Sequence, residues 1–243
     1  MRTRWWLLVI FLSMAASVSL TLACCLGLGM TVASGSKRRD RSVEEAEQGH
    51  VAAHEAGHAM VAAYLAGPDE VIRVEVYATL RSNGLYGLTD TRDHNRLETA
   101  DDIMREAAVF MGGRAADKIV NGAPTNGAGS DLARVNDIIR SMHISSGLGG
   151  SLLVHAPDDV PAAVEAQIEE DINASNACAE AIVSANSETV VLLARLIMRQ
   201  QAVGGARVLS GDEFRAFLRE HPLRPIPERV LPTLMTGCHQ PPH

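Results

Sequence analysis

Apolar and polar positions follow two periods along this chain, and the helical one dominates after a long uncharged start. Residues 5–36 carry no charge. The most apolar part, 5–32, exceeds the about 20 residues that cross a bilayer as a helix. It is also longer than the roughly 7–15-residue apolar core of a secretory signal. The pattern predicts an uncleaved single-pass transmembrane helix, with Trp5 and Trp6 at one membrane interface. From Val43 to Ala66 the spacing predicts a second helix, ended by Gly67-Pro68. Ile72, Val74 and Val76 then alternate with Arg73, Glu75 and Tyr77, the period of a half-buried strand. Asn83-Gly84 marks a turn, and Leu85 to Asp90 reads as the returning strand.

Helical spacing resumes downstream. Thr99, with Asp102 three positions on, signals a helix start, and Ile103, Ala107, Phe110 and Met111 line one face as far as Ile119. After a loop at 123–130, a helix from Asp131 carries Leu132, Val135, Ile139 and Met142. Ser151 to His155 reads as a short strand. Pro161 suits the first position of a long helix with Val164, Ile168 and Ile172, and a further helix carries Leu192, Leu193, Leu196 and Ile197. Ser210 and Glu213 form a capping box before Phe214, Phe217 and Leu218. The expected architecture is mainly α with a small β-hairpin or sheet. It falls into three parts: an anchor and basic linker at 1–42, a folded domain at 43–220, and a proline-rich, loose tail at 221–243.

Composition narrows the function. A net charge of −7 and 4% aromatic residues argue against a nucleic-acid surface. Lys37, Arg38, Arg39 and Arg41 follow the apolar segment and outweigh Arg2 and Arg4 before it. The positive-inside tendency therefore places the folded domain in the cytoplasm. The four cysteines, at 24, 25, 178 and 238, show no CxxC spacing and predict neither a disulfide framework nor a structural zinc site.

The chemistry concentrates in His54-Glu55-Ala56-Gly57-His58. Residues i and i+4 share a helix face, so both imidazoles can reach one metal ion. Glu55 follows the first histidine, where a carboxylate can take a proton from a metal-activated water. A catalytic zinc takes three protein ligands. A third histidine in HExxHxxGxxH is excluded, because Val61 and Tyr64 stand at the last two diagnostic positions. Glu165, Glu169 and Glu170 remain open, and so does Asp131 after the glycine-rich loop, although a carboxylate in a first helical turn is also favoured by the helix dipole alone. The other histidines (50, 94, 143, 155, 221, 239 and 243) read as surface or satisfied core residues.

Three segments together carry a resemblance. His54 to Ala59 (HEAGHA), Gly112 to Asp117 (GGRAAD) and Thr125 to Leu132 (TNGAGSDL) look like the HEAGHA, GGRAAE and TTGAxNDL motifs of the peptidase domain of FtsH-type membrane proteases, in the same order and at comparable spacing. The two long helices and the Leu209 to Phe214 segment resemble that domain's C-terminal helices, so the likeness covers about 43–220. It implies a zincin-like HExxH metallopeptidase domain in which His54, His58 and Asp131 bind Zn2+ and Glu55 is the general base. Asp117 stands where the family usually has Glu, and Ser130 where it often has Asn, changes that bear on the groups around the ligands. Arg114 reads as a structural ion-pair partner. The strand at 85–90 resembles the family's edge beside the cleft, where an extended substrate adds a strand.

FtsH-type proteases also place an ATPase module before the peptidase domain and work in rings. The 243 residues contain no GxxxxGK[S/T] loop. The expectation is therefore a membrane-anchored zinc metalloendopeptidase that cleaves unfolded proteins or peptides, as a homo-oligomer or beside a separate ATPase subunit. The alternative is a non-catalytic FtsH-like adaptor that binds a separate protease or ATPase without turnover.

Overall fold

The computed structural model describes residues 45–81, 86–92, 97–230, 235 and 238. The expected anchor at 5–32, the basic linker and the Asn83-Gly84 turn lie outside them. The first helix, α1 (Glu45–Ala66), opens with Glu45 and Glu47, where the helix dipole favours carboxylates. Its middle is buried on nearly every side, through Ala52, Ala53, Ala56, Ala59, Ala62 and Ala63 together with Met60, Val61 and Leu65. An all-round apolar helix belongs inside a fold, and α1 is contacted by three other helices and the sheet. It ends where Gly67 takes a left-handed φ of 99° ahead of Pro68.

Three antiparallel strands flank α1. β1 (Val71–Tyr77) lies between β2 (Gly87–Thr91) and β3 (Ala206–Ser210), in the order β2-β1-β3. β2 begins two residues later than the sequence pattern suggests, and β3 is not anticipated by it. The alternation in β1 also breaks at its start. Val71 is fully buried while Ile72 is 46% exposed, because the pairing with β2 shifts between Val71 and Arg73 and such an irregularity turns the following side chain to the other face. Glu75 and Tyr77, expected to face outward, are buried. The Tyr77 hydroxyl donates to Glu75 Oε2 at 2.7 Å, which meets the need for a partner that burial creates.

Helix α2 (Ala100–Ile119) has the expected box: Thr99 Oγ1 accepts from the Asp102 amide, and Asp102 accepts from the Thr99 amide. Helix α3 (Gly129–Ile144) starts two residues before Asp131, so this carboxylate sits in its first turn. Residues 151–155 form no strand, and Leu152 is 92% exposed there. Helices α4 (Ala162–Ala185) and α5 (Ser187–Arg199) meet at an 81° bend. Asn186 marks the bend, its amide donating to Ile182 O. The last helix, α6 (Gly211–Glu220), has the Ser210–Glu213 box. Among the described residues no single helix is long and apolar enough to cross a membrane.

Among the described residues beyond α6, Arg224, Ile226 and Cys238 make contacts with the folded domain. Arg224 N donates to Asn186 Oδ1 at 2.7 Å, Ile226 N donates to the Tyr64 hydroxyl at 3.1 Å, and the Ile226 side chain is buried. Cys238 is joined by a disulfide to Cys178 of α4, across 60 residues of sequence, and both cysteines are fully buried. The sequence pattern misses this bridge because cysteines so far apart leave no local spacing to read.

Candidate metal centre

Helix α1 presents His54 and His58 one turn apart, and both rings meet α2 and the first turn of α3. The Nε2 atoms lie 3.1 Å from each other. Asp131 Oδ2 is 3.2 Å from His54 Nε2 and 3.5 Å from His58 Nε2. The rings stand edge to face at 77°. Of the acidic residues left open by sequence, the structure brings Asp131 to the histidines. Glu165 instead pairs with Arg140, Oε2 to Nη1 at 2.8 Å, and Glu169 and Glu170 are exposed.

The far side of each ring is fixed. His58 Nδ1 is 2.8 Å from Val109 O. A carbonyl only accepts, so Nδ1 carries a hydrogen, which in the neutral ring leaves the lone pair on Nε2. The Gly113 amide, 3.3 Å from the same Nδ1, is then a close approach and not a donor to it. His54 Nδ1 faces Asp117 Oδ2 at 3.1 Å. Asp117 is itself held by Thr125 Oγ1 at 3.1 Å and Asn121 Nδ2 at 3.2 Å. A carboxylate behind a ligating histidine sets its tautomer and raises its basicity.

Close helix contact makes this arrangement reachable. A Cβ on Gly57 would fall 2.3 Å from Gly112 O and 2.6 Å from Ala116 Cβ, so α1 and α2 cross backbone to backbone. A Cβ on Gly113 would lie 2.3 Å from His54 Nε2 and 2.4 Å from His58 Nε2. Both distances are far inside van der Waals contact, so only glycine at 113 leaves the two Nε2 atoms unobstructed on this side. Two imidazoles, each with its outer nitrogen already facing an acceptor, and one carboxylate are a donor set that fits zinc.

The electrostatics agree with a place for positive charge. Burial opposes protonation of His54, but hydrogen bonds to Asp117 and Asp131 and the charges of Glu55 and Asp117 outweigh it, raising the imidazole to about 10. Burial likewise disfavours the charged form of Asp131, yet its contacts with His54 and His58 win and hold the carboxyl well below the usual carboxylate range. Asp117 is lowered in the same way, mainly through His54, against its burial. Three carboxylates around two imidazoles thus favour a cation among them.

Glu55, also on α1, is 7% exposed, and burial pushes its carboxyl up while His58, His54 and Thr89 oppose the shift. It opens with the histidines onto a cavity of about 780 Å³, lined further by Leu65 and Phe110 and by Tyr86, Leu88 and Thr91 around β2. Sequence reasoning did not pick out Thr89, whose hydroxyl donates to Glu55 Oε2, nor Asn121 and Thr125 behind Asp117. The run Gly112-Gly113 was the available signal for the close crossing. His143 is buried elsewhere against Asp171 Oδ2 at 2.7 Å, away from the centre. Arg114, read as an ion-pair partner, forms no ion pair among the described residues.

Residues 41–194 match the model of peptidase family M41. Similar proteins include the ATP-dependent zinc metalloprotease FtsH of Paraburkholderia phymatum, 27% identical over 78% of this chain and 32% of that protein. FtsH 2 of Symbiobacterium thermophilum is 29% identical over 77% of this chain and 33% of its own length. FtsH 3 of Sphaerobacter thermophilus is 32% identical over 80% of this chain and 40% of its own. The chain thus spans about a third of the length of the curated relatives it matches.

Proposed function

Because the chain belongs to peptidase family M41, we propose that it is a membrane-anchored zinc metalloendopeptidase that hydrolyses peptide bonds in unfolded proteins or peptides. One observation carries the reading: three ligand atoms from two helices converge within 4.8 Å of one another, and Glu55 follows directly on the first of them. His54 Nε2, His58 Nε2 and Asp131 Oδ2 would hold the ion. Bound zinc supplies Lewis acidity, which makes a water more acidic and a carbonyl more electrophilic. Glu55 would take the proton of the attacking water at a carboxylate oxygen and pass it to the leaving amine. Burial raises the Glu55 carboxyl, which helps it hold the proton between the two transfers. Asp117 and Val109 O keep the two imidazoles in the tautomers that ligation needs.

Substrate would enter as an extended strand. β2 is an edge strand beside the cavity, and backbone hydrogen bonds along it suit an unfolded segment of any sequence. A stable folded domain exposes such a segment in only a tiny fraction of molecules. The relatives are named ATP-dependent; for this chain the proposal is cleavage of already unfolded segments, as a homo-oligomer or beside an ATPase subunit.

The proposed organisation is an anchor and linker at 1–42, a peptidase domain at 43–220 and a tail at 221–243. The membrane would be met through residues 5–32. The basic cluster at 37–41 favours a cytoplasmic peptidase domain. The Cys178–Cys238 bridge favours the second reading, a domain facing an oxidising compartment, where such bonds persist. Labelling intact cells with a membrane-impermeant reagent at a cysteine introduced at exposed Leu152 distinguishes the two sides.

The activity is tested by a time course of unfolded casein cleavage without ATP, using the full chain in detergent loaded with zinc, beside Glu55→Gln. Cleavage by the wild type alone is expected. Bound zinc with no cleavage would overturn the stand-alone peptidase and favour the adaptor alternative.

A further inference from the structure

Strand β2 and helix α1 meet at the carboxylate of Glu55. Gly87 and Thr89, two residues apart, point to the same side of β2, and both reach this one side chain. Thr89 Oγ1 lies 2.8 Å from Glu55 Oε2 and 2.9 Å from the Glu55 main-chain oxygen. The hydroxyl has a single hydrogen to donate, and an ionised carboxylate is the stronger acceptor. Gly87 closes in from the other oxygen: a Cβ there would fall 2.5 Å from Glu55 Oε1 and 2.7 Å from its Cγ. The carboxylate is therefore clamped between a hydroxyl donor and bare backbone, both supplied by β2.

The same strand is the outer edge of the sheet and lines the cavity. Resting on the peptidase reading above, we infer that Thr89 is a positioning residue: it fixes the Glu55 carboxylate for proton transfer and ties it to the strand on which the substrate backbone docks. A carboxylate attached through rotatable bonds samples several orientations, and one hydrogen bond from a paired strand selects among them. The role belongs to the hydroxyl and not to the volume of the side chain. Thr89 touches Glu55 and none of the three ligand atoms among its hydrogen bonds, so its loss is expected to leave zinc binding intact.

The test compares the full chain in detergent with its Thr89→Val and Thr89→Ser variants, measuring zinc content, kcat and KM on an unfolded fluorogenic casein. Val keeps the branched shape and removes the donor; Ser keeps the donor and removes a methyl. Thr89→Val is expected to bind zinc like the wild type, to lose about 10- to 100-fold in kcat, and to keep its KM within about twofold. Thr89→Ser is expected to recover kcat to within about threefold of the wild type. A Val variant with wild-type kcat, a Ser variant as slow as Val, or loss of zinc in the Val variant would each overturn the assignment. A wild type that binds zinc and cleaves no better than Glu55→Gln would overturn the peptidase reading itself, and the role of Thr89 with it.

Discussion

Asp117 Oδ2 lies 3.1 Å from Nδ1 of His54, on the side of the ring opposite Asp131. One imidazole is thus held between two carboxylates from different helices. Asp117→Asn keeps an acceptor for the ring hydrogen but removes the charge that raises ligand basicity. Zinc affinity is expected to fall about 10- to 100-fold, read by competition with a chromophoric chelator. Affinity equal to the wild type would show that Asp117 does not support the metal.

Gly113 gives a sharper test, because it is not a ligand. Its Cβ would compete for the space at both Nε2 atoms. Alanine favours helix over glycine by about 1 kcal/mol, so Gly113→Ala should retain the helical circular dichroism signal. It should nevertheless retain less than a tenth of the wild-type zinc after dialysis, measured by atomic absorption. Stoichiometric zinc in this variant would mean that the histidines move aside.

The Cys178–Cys238 bond closes a long loop and ties Cys238 to α4. A crosslink of this span restricts the unfolded chain by an amount worth about 4 kcal/mol. Reduction, or Cys178→Ser with Cys238→Ser, should lower the urea midpoint accordingly, and non-reducing peptide mapping should recover the linked pair. Identical midpoints with and without reductant would remove the bridge from the stability of this domain.

Asp102 links stability to pH. Hydrogen bonds from the Thr99 hydroxyl and amide, helped by Arg105, hold its carboxyl well below the usual carboxylate range, against a smaller effect of burial. A depressed folded-state pKa means that the charged form is stabilised by folding. The contribution is therefore present above the unfolded value of about 3.9 and is lost as pH falls through the folded one. Asp102→Ala should cost about 0.3–1.5 kcal/mol at pH 7, and the gap to the wild type should narrow below about pH 4. A gap in urea stability that stays constant down to pH 2 would contradict the linkage.

Local chemistry was legible in the sequence, and long-range contact was not. The HExxH helix and the boxes at Thr99 and Ser210 depend on neighbours within four residues, so spacing reveals them. The turn of Ile72 to the outside depends on pairing with β2, and the burial of Glu75 and Tyr77 depends on what covers the sheet. Ala206 to Ser210 lacks a clear alternation of apolar and polar residues, and it becomes a strand because β1 offers it an edge. Thr89 is 34 residues from Glu55, and Ile226 is 162 from Tyr64. No periodicity spans such distances. Asp131 lay between these cases, since a helix-start carboxylate has a common structural role and only the fold brings it to the histidines.

The backbone contact between Gly57 and Gly112 has a practical meaning for protein design. Grafting HExxH onto another helix would transfer two ligands and a base without the neighbour that completes them. What must travel together is a pair of helices whose crossing tolerates no methyl group, with Gly113 opposite the imidazoles. The smallest portable form of this centre is therefore a helix crossing, and its glycines are as much a part of the recipe as its histidines.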